Sequence, residues 1–207
     1  APGKGILAAD ESFPTIEKRF KSVGVAPTVE NRQAYREMLF RTPDIEPYIS
    51  GVILFDETIR GSASDGTPFP ELLATRGIIP GIKVDRGAKA LAGAPGEKIT
   101  EGLDGLRERL AEYRDLGARF TKWRAVYAIG PGTPSEPCIR TNAVELARCA
   151  AQSQEAGLVP IIEPAVLMEG DHDNDTSADV TGHVLQAAVD ELHTQRVHLE
   201  ELLLKTN

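Results

Sequence analysis

The chain has 207 residues, 41% of them apolar and 26% charged, which suits one globular domain with a sizeable core. Its formal net charge of -8 argues against a nucleic acid as the main partner, since that needs a basic surface, yet a local cluster of Lys and Arg can still hold an anionic small molecule. No apolar run reaches the roughly 18 residues of a membrane-spanning helix, and no basic leader precedes an apolar segment, so neither a membrane partner nor a secretory signal is expected.

In chain order, apolar runs fall at 5–10, 51–56, 79–85, 120–129, 158–167 and 202–205. Most are short and rich in Ile, Val, Leu or Phe, as buried parallel strands are. Helical patterns lie between them. The stretch 30–40 carries Tyr35, Met38 and Leu39, and Leu103, Leu106, Leu110 and Tyr113 form one stripe that Gly117 ends. The stretch 143–156 is Ala-rich and ends at Gly157; Val180, Val184, Ala187, Ala188 and Leu192 mark another helix. Strand alternating with helix implies an α/β fold with a parallel sheet. An open dinucleotide-binding sheet would show G-x-G-x-x-G after its first strand, and the residues after Asp10 read Glu-Ser-Phe-Pro-Thr. No G-x-x-x-x-G-K-[ST] loop is present either. A (β/α)8 TIM barrel is therefore expected, with about six β/α units present. Residues 1–207 read as a single partial barrel domain lacking the last two units.

Charged residues stand at the strand ends: Asp10, then Asp56 and Glu57, Lys83 and Asp85, Lys122 and Arg124, Glu163, and Lys205. Residues two apart share a face of a strand, so Lys122 and Arg124 point together and Trp123 points away into packing. In a barrel these ends converge where active sites of the fold sit. Ion pairs that merely close the barrel are an alternative for any one residue; burying so many charges for structure alone is unfavourable. A lysine ending an apolar strand, among other cations, has its ammonium form disfavoured, and the neutral amine can attack a carbonyl to form an imine. The protonated imine is an electron sink for breaking an adjacent C–C bond. Glu163 is a candidate for the accompanying proton transfers, and Lys83 and Arg124 for anchoring phosphate.

Specific phrases then carry a resemblance. Ala-Pro-Gly-Lys-Gly-Ile-Leu-Ala-Ala-Asp-Glu-Ser (1–12), Gly-Val-Ile-Leu-Phe from Gly51, Gly-Ile-Lys-Val-Asp from Gly81, Gly-Leu-Asp-Gly-Leu from Gly102, Lys122-Trp-Arg, Pro-Ile-Ile-Glu-Pro from Pro160, Asp171-His-Asp and Leu203-Leu-Lys occur in order. Together they resemble class I (Schiff-base) fructose-bisphosphate aldolase over essentially the whole chain. The resemblance implies a (β/α)8 barrel that cleaves fructose 1,6-bisphosphate reversibly into dihydroxyacetone phosphate and glyceraldehyde 3-phosphate. It needs no metal or other cofactor. It implies that Lys205 forms the imine, that Glu163 is the main general acid/base, that Asp10 assists proton transfer at the sugar hydroxyl, and that Lys122 supports these steps electrostatically. Lys83 and Arg124 would line the phosphate of the aldehyde half, with Ser12 and Arg19 at its rim. It also implies a sugar phosphate as the partner, a cytoplasmic location, and a homo-oligomer, commonly a tetramer.

Three departures stand out. The family's Glu-Pro-Glu is here Glu163-Pro164-Ala165, which removes a carboxylate near the lysine. Its Leu-Leu-Lys-Pro-Asn is here Leu203-Leu204-Lys205-Thr206-Asn207. The start at Ala1 and the stop at Asn207 predict a fragment truncated at both ends, with unpaired strand edges and weak or no activity alone. Two other readings remain: a non-catalytic aldolase-like binding protein, or another Schiff-base barrel lyase such as a transaldolase or deoxyribose-phosphate aldolase. Cys138 and Cys149 read as reduced thiols of a cytosolic protein. The segment 171–175 fails as a calcium loop because it lacks Gly at its sixth position and Glu at its twelfth. His172, His183, His193 and His198 fall outside the strands, so no zinc centre is expected.

Overall fold

A computed structural model describes residues 2–206; Ala1, which begins the first family-like phrase, and Asn207, which closes the altered Leu-Leu-Lys-Thr-Asn stretch, lie outside the described residues. The chain separates into two compact units. The first is the part up to Lys83 together with Ala111–Phe120, and the second is Val84–Leu110 together with the part from Thr121 onward.

In the first unit, strands β1 (Gly5–Ala9), β2 (Ile49–Leu54) and β3 (Ile79–Lys83) pair in parallel, with Ala9 opposite Leu54 and Leu54 opposite Ile82. The parallel order needs crossovers, which the helices supply. Helix α1 (Phe13–Ser22) starts after Ser12 with Pro14 in its first turn, where a missing N–H costs nothing, and buries Ile16 and Phe20 four residues apart. Helix α2 (Val29–Phe40) is capped by Thr28, whose side chain accepts from the Asn31 N–H at 3.2 Å. Short helices α3 (Asp56–Ile59) and α4 (Phe69–Thr75) complete the crossover to β3. Phe40 and Phe69 meet edge to face at 5.3 Å between ring centres, joining α2 to α4 in the core. Gly81 is required by packing: a Cβ there would stand 2.2 Å from the Phe120 ring.

In the second unit, β4 (Ala88–Ala90) and β5 (Lys98–Thr100) form an antiparallel hairpin. Helix α5 (Leu106–Asp115) contributes residues to both units, and Leu106, Leu110 and Tyr113 of the expected stripe are buried. Strands β6 (Phe120–Tyr127), β7 (Val159–Val166) and β8 (Leu203–Leu204) are neighbours in that order. Helix α6 (Glu136–Glu155) connects β6 to β7, and α7 (Asn174–Thr194) leads on towards β8. α6 packs against both α7 and β7. It starts seven residues before the Ala-rich stretch because Ser135 caps it, accepting from the Cys138 N–H at 3.3 Å, and Pro137 sits in its first turn. Gly157, at φ +73°, ends it as the sequence suggested. Cys138 and Cys149 are free and buried, and burial pushes the Cys138 thiol up to about 11.

Candidate active site

Side chains alternate along β7, so Ile161, Glu163 and Ala165 share a face of that strand. Glu163 carries the charged cluster of the second unit. Its side chain is 6% exposed, and three cations surround it. Lys205 Nζ donates to Oε1, Lys122 Nζ stands 3.0 Å from Oε2, and Arg124 Nε stands 3.5 Å from Oε1. The β6 alternation expected from Lys122-Trp123-Arg124 holds: Trp123 is fully buried. Lys122 is buried, with 8% of its side chain exposed, whereas Arg124 is 44% exposed. Lys205 follows β8 directly. Its N–H donates to the Ile162 carbonyl at 3.0 Å, which sets it beside Glu163. Its side chain is 45% exposed, so of the two ammonium groups Lys122 is the more buried.

Burial pushes the Glu163 carboxyl up, but the charge of Lys122 and the bonds from Lys205 and Lys122 outweigh it and hold the group below the usual carboxylate range. Glu11 in the first unit is held low in the same way: burial raises it, and the bond and charge of Arg36 with those of its neighbours outweigh that. Carboxylates whose folded values are depressed stabilise the fold above their unfolded value and lose that contribution as pH falls through the folded value. Stability in a denaturant series should therefore hold above about pH 4.3, the ordinary Glu value, and decline below it. Glu163→Gln should decline less steeply, and a wild-type profile flat to pH 3 would contradict both assignments.

An amine in contact with a carboxylate can hand over its proton and become nucleophilic, and the same carboxyl can return it to a departing hydroxyl. The Lys205–Glu163 contact supplies that pair. Neighbouring cations favour the ionised form of Glu163.

The other sequence-predicted site residues lie in the first unit. Asp10 is buried and follows the C-terminal end of β1 directly, and Lys83 is the half-buried last residue of β3. Ser12 precedes α1, with its hydroxyl 3.3 Å from that of Thr15. Arg19, on α1, pairs with Glu11. Asp56 and Glu57 do not end a strand as expected. They open α3, where Asp56 accepts from Arg60 and the Tyr113 hydroxyl, and Glu57 accepts a forked pair from Arg32. The reason is the short β2, which stops at Leu54 and lets Phe55 start the helix.

The sequence reading missed Glu11 and Arg36. The Glu11 carboxylate, next to Asp10 and Ser12, accepts from Arg19, Arg36 and the Tyr35 hydroxyl. The available signal was Arg36 itself, four residues before buried Phe40 and therefore on the inward stripe of α2. The 171–175 segment is a cap: Asp173 accepts from the Thr176 N–H at 2.8 Å and starts α7. His172 is half-buried, while His183, His193 and His198 are exposed. Among the described residues no group of three His, Cys, Asp or Glu is arranged to hold a metal ion, and no helix is long and apolar enough to cross a membrane.

Residues 1–207 match the family profile described as fructose-bisphosphate aldolase class-I. The chain is 59% identical over 207 residues to a protein of Xanthomonas campestris named probable fructose-bisphosphate aldolase class 1, covering 100% of this chain and 62% of that protein. It is 53% identical over 206 residues to fructose-bisphosphate aldolase 6, cytosolic, of Arabidopsis thaliana, covering 100% and 58%. A solved fructose-bisphosphate aldolase from Plasmodium falciparum, crystallised with TRAP and a small-molecule inhibitor, superposes with a TM-score of 0.98 at 46% identity, covering 100% of this chain and 60% of that one. The chain thus spans about three fifths of these relatives' lengths. Its fold is mixed α/β, a partial TIM barrel with six parallel barrel strands. Sequence phrases, profile and superposition agree along the whole chain, which belongs to the class I fructose-bisphosphate aldolase family.

Proposed function

We propose that this chain carries the Schiff-base half of an aldolase that cleaves fructose 1,6-bisphosphate reversibly to dihydroxyacetone phosphate and glyceraldehyde 3-phosphate. The observation that carries the reading is the direct contact of Lys205 Nζ with Glu163, whose other oxygen lies 3.0 Å from Lys122 Nζ. Lys205, as the neutral amine, adds to the ketone carbon and forms a C–N bond. Glu163 returns the proton to the resulting hydroxyl, which leaves as water. The imine then takes up the electron pair of the breaking C–C bond while Asp10 receives the proton of the sugar hydroxyl and the aldehyde departs. Protonation of the enamine and hydrolysis restore the amine. Lys122 keeps Glu163 charged between proton transfers. Lys83, Arg124, Ser12 and Arg19 anchor phosphate. With Ala165 two residues on, Glu163 is the one carboxylate on its face of β7 and serves every proton step at the imine.

The family supports a sugar phosphate as the partner. A cytoplasmic location follows the naming of the Arabidopsis relative. A homo-oligomer, and residues 1–207 acting as one partial barrel, belong to the same reading. The test is proton exchange in D2O. With dihydroxyacetone phosphate and excess chelator, the carbon-bound proton next to the imine should be replaced by deuterium, followed as loss of its NMR signal. Absence of exchange under conditions where the ligand binds would favour a non-catalytic aldolase-like protein, which the loss of a carboxylate at Ala165 also favours.

A further inference from the structure

Along β6 the backbone is met first by a main-chain donor and then by side chains. The Lys122 carbonyl accepts from the Val84 N–H at 3.0 Å, in sheet fashion. Two residues further on, the N–H and C=O of Arg124 meet side chains. The N–H donates to Asp85 Oδ2 at 3.4 Å, and the C=O accepts from the Thr100 hydroxyl at 2.7 Å. A buried main-chain group left unmatched is costly, so these two side chains take over where the strand leaves off.

Thr100 is itself fixed. It is 1% exposed and ends the β4–β5 hairpin. Its N–H donates to Asn142 Oδ1 at 3.1 Å. Asn142, wholly buried on α6, donates from Nδ2 to the carbonyls of Lys98 at 2.8 Å and Cys138 at 3.0 Å. Asp85 is fixed from the other side, since its Oδ1 accepts from the Gly87 N–H at 3.0 Å. The hairpin closes back on this point through Arg86 N–H to the Glu101 carbonyl at 2.8 Å. The Asn142 amide and the Thr100 N–H and hydroxyl, which link α6 to the Arg124 backbone, are each hydrogen-bonded, as expected of a buried polar network that specifies one position.

We infer that Thr100, held by Asn142, is a positioning residue for Arg124: it fixes the backbone from which the guanidinium reaches Glu163 Oε1 and, on the reading proposed above, a substrate phosphate. Arg124 needs such a support. Its side chain is 44% exposed and its Nε lies 3.5 Å from the carboxylate, so side-chain packing alone does not hold it. A loose backbone at this position lets the guanidinium lie off the phosphate it must meet.

The test pairs Thr100→Val, which keeps shape and removes the hydroxyl, with Thr100→Ser, which restores it. Thr100→Ala replaces the valine variant should that one fail to fold. KM for fructose 1,6-bisphosphate should rise about fivefold to tenfold in Thr100→Val, the scale of one lost hydrogen bond, and return in Thr100→Ser. In an Arg124→Ala background the Thr100→Val change should add little, because the two act through one group. A purely structural role would lower Tm and give additive effects on KM. A second readout is independent of turnover: the Arg124 Nε–Hε NMR signal should shift in Thr100→Val and return in Thr100→Ser. If the wild-type protein neither exchanges nor cleaves sugar phosphate, the catalytic reading fails while this signal still decides the positioning role. An Arg124 signal unmoved by Thr100→Val, or a shift that serine does not reverse, overturns the inference.

Discussion

Lys205→Met should give no borohydride-stable adduct with dihydroxyacetone phosphate and should lower turnover by about a thousandfold or more, the scale seen when a covalent nucleophile is deleted. Glu163 then keeps the Lys122 and Arg124 contacts, so its charge stays compensated and the unit should fold. Lys205→Arg separates two roles of the amine. It retains a cation beside Glu163 Oε1 but cannot form an imine, and should be as inactive as the methionine variant. Were the arginine variant to turn over substrate, Lys205 would serve as an electrostatic partner only. The second ammonium, Lys122, is more buried, and its position 3.0 Å from Oε2 suits charge support; a full-yield adduct in Lys205→Met would place the chemistry there.

The largest expected loss of stability is at Arg36. Its guanidinium is 4% exposed and donates to both the carboxylate of Glu11 and, at 3.1 Å, the Glu11 carbonyl. Replacing it by Met leaves a carboxylate buried at 6% exposure, with the solvent-facing Arg19 as its remaining cation. Breaking a buried pair from one side costs roughly 3–5 kcal/mol. The midpoint of urea unfolding should fall accordingly in Arg36→Met. Removing both charges, Glu11→Leu with Arg36→Met, should recover most of the loss, because the penalty belongs to the orphaned carboxylate. Equal losses in single and double variants would mean that packing around the guanidinium, and not its charge, is what α2 contributes.

Much of the architecture is legible in the sequence because buried parallel strands write themselves as short apolar runs. Five of the six barrel strands fall within the expected segments, β2 starts two residues ahead of its segment at Ile49, and β8 shrinks from four expected residues to Leu203–Leu204. The elements left unread are those whose signal is brief or ambiguous. α1 begins with Phe13-Pro14, which reads as a break until Ser12 is recognised as its cap. α4 is seven residues with a proline in its first turn, and β4 and β5 are three residues each. Strand-end charges were legible as a class but not individually. Lys122, Arg124, Glu163 and Lys205 do meet, whereas Asp56 and Glu57 bond to Arg60, Tyr113 and Arg32. Local spacing gives the face of a strand. It does not give partners 25 residues away, as Arg36 is from Glu11, or 24 away, as Thr100 is from Arg124. Those pairings depend on how crossovers return, which no window of sequence contains.

The proposed chemistry places the imine on Lys205. Incubation with dihydroxyacetone phosphate, reduction with borohydride, proteolysis and mass spectrometry locate the attachment. The added mass should lie on the peptide containing Lys205 and be lost in Lys205→Met. Attachment at Lys122, or no attachment to a folded protein that binds the ligand, would contradict it.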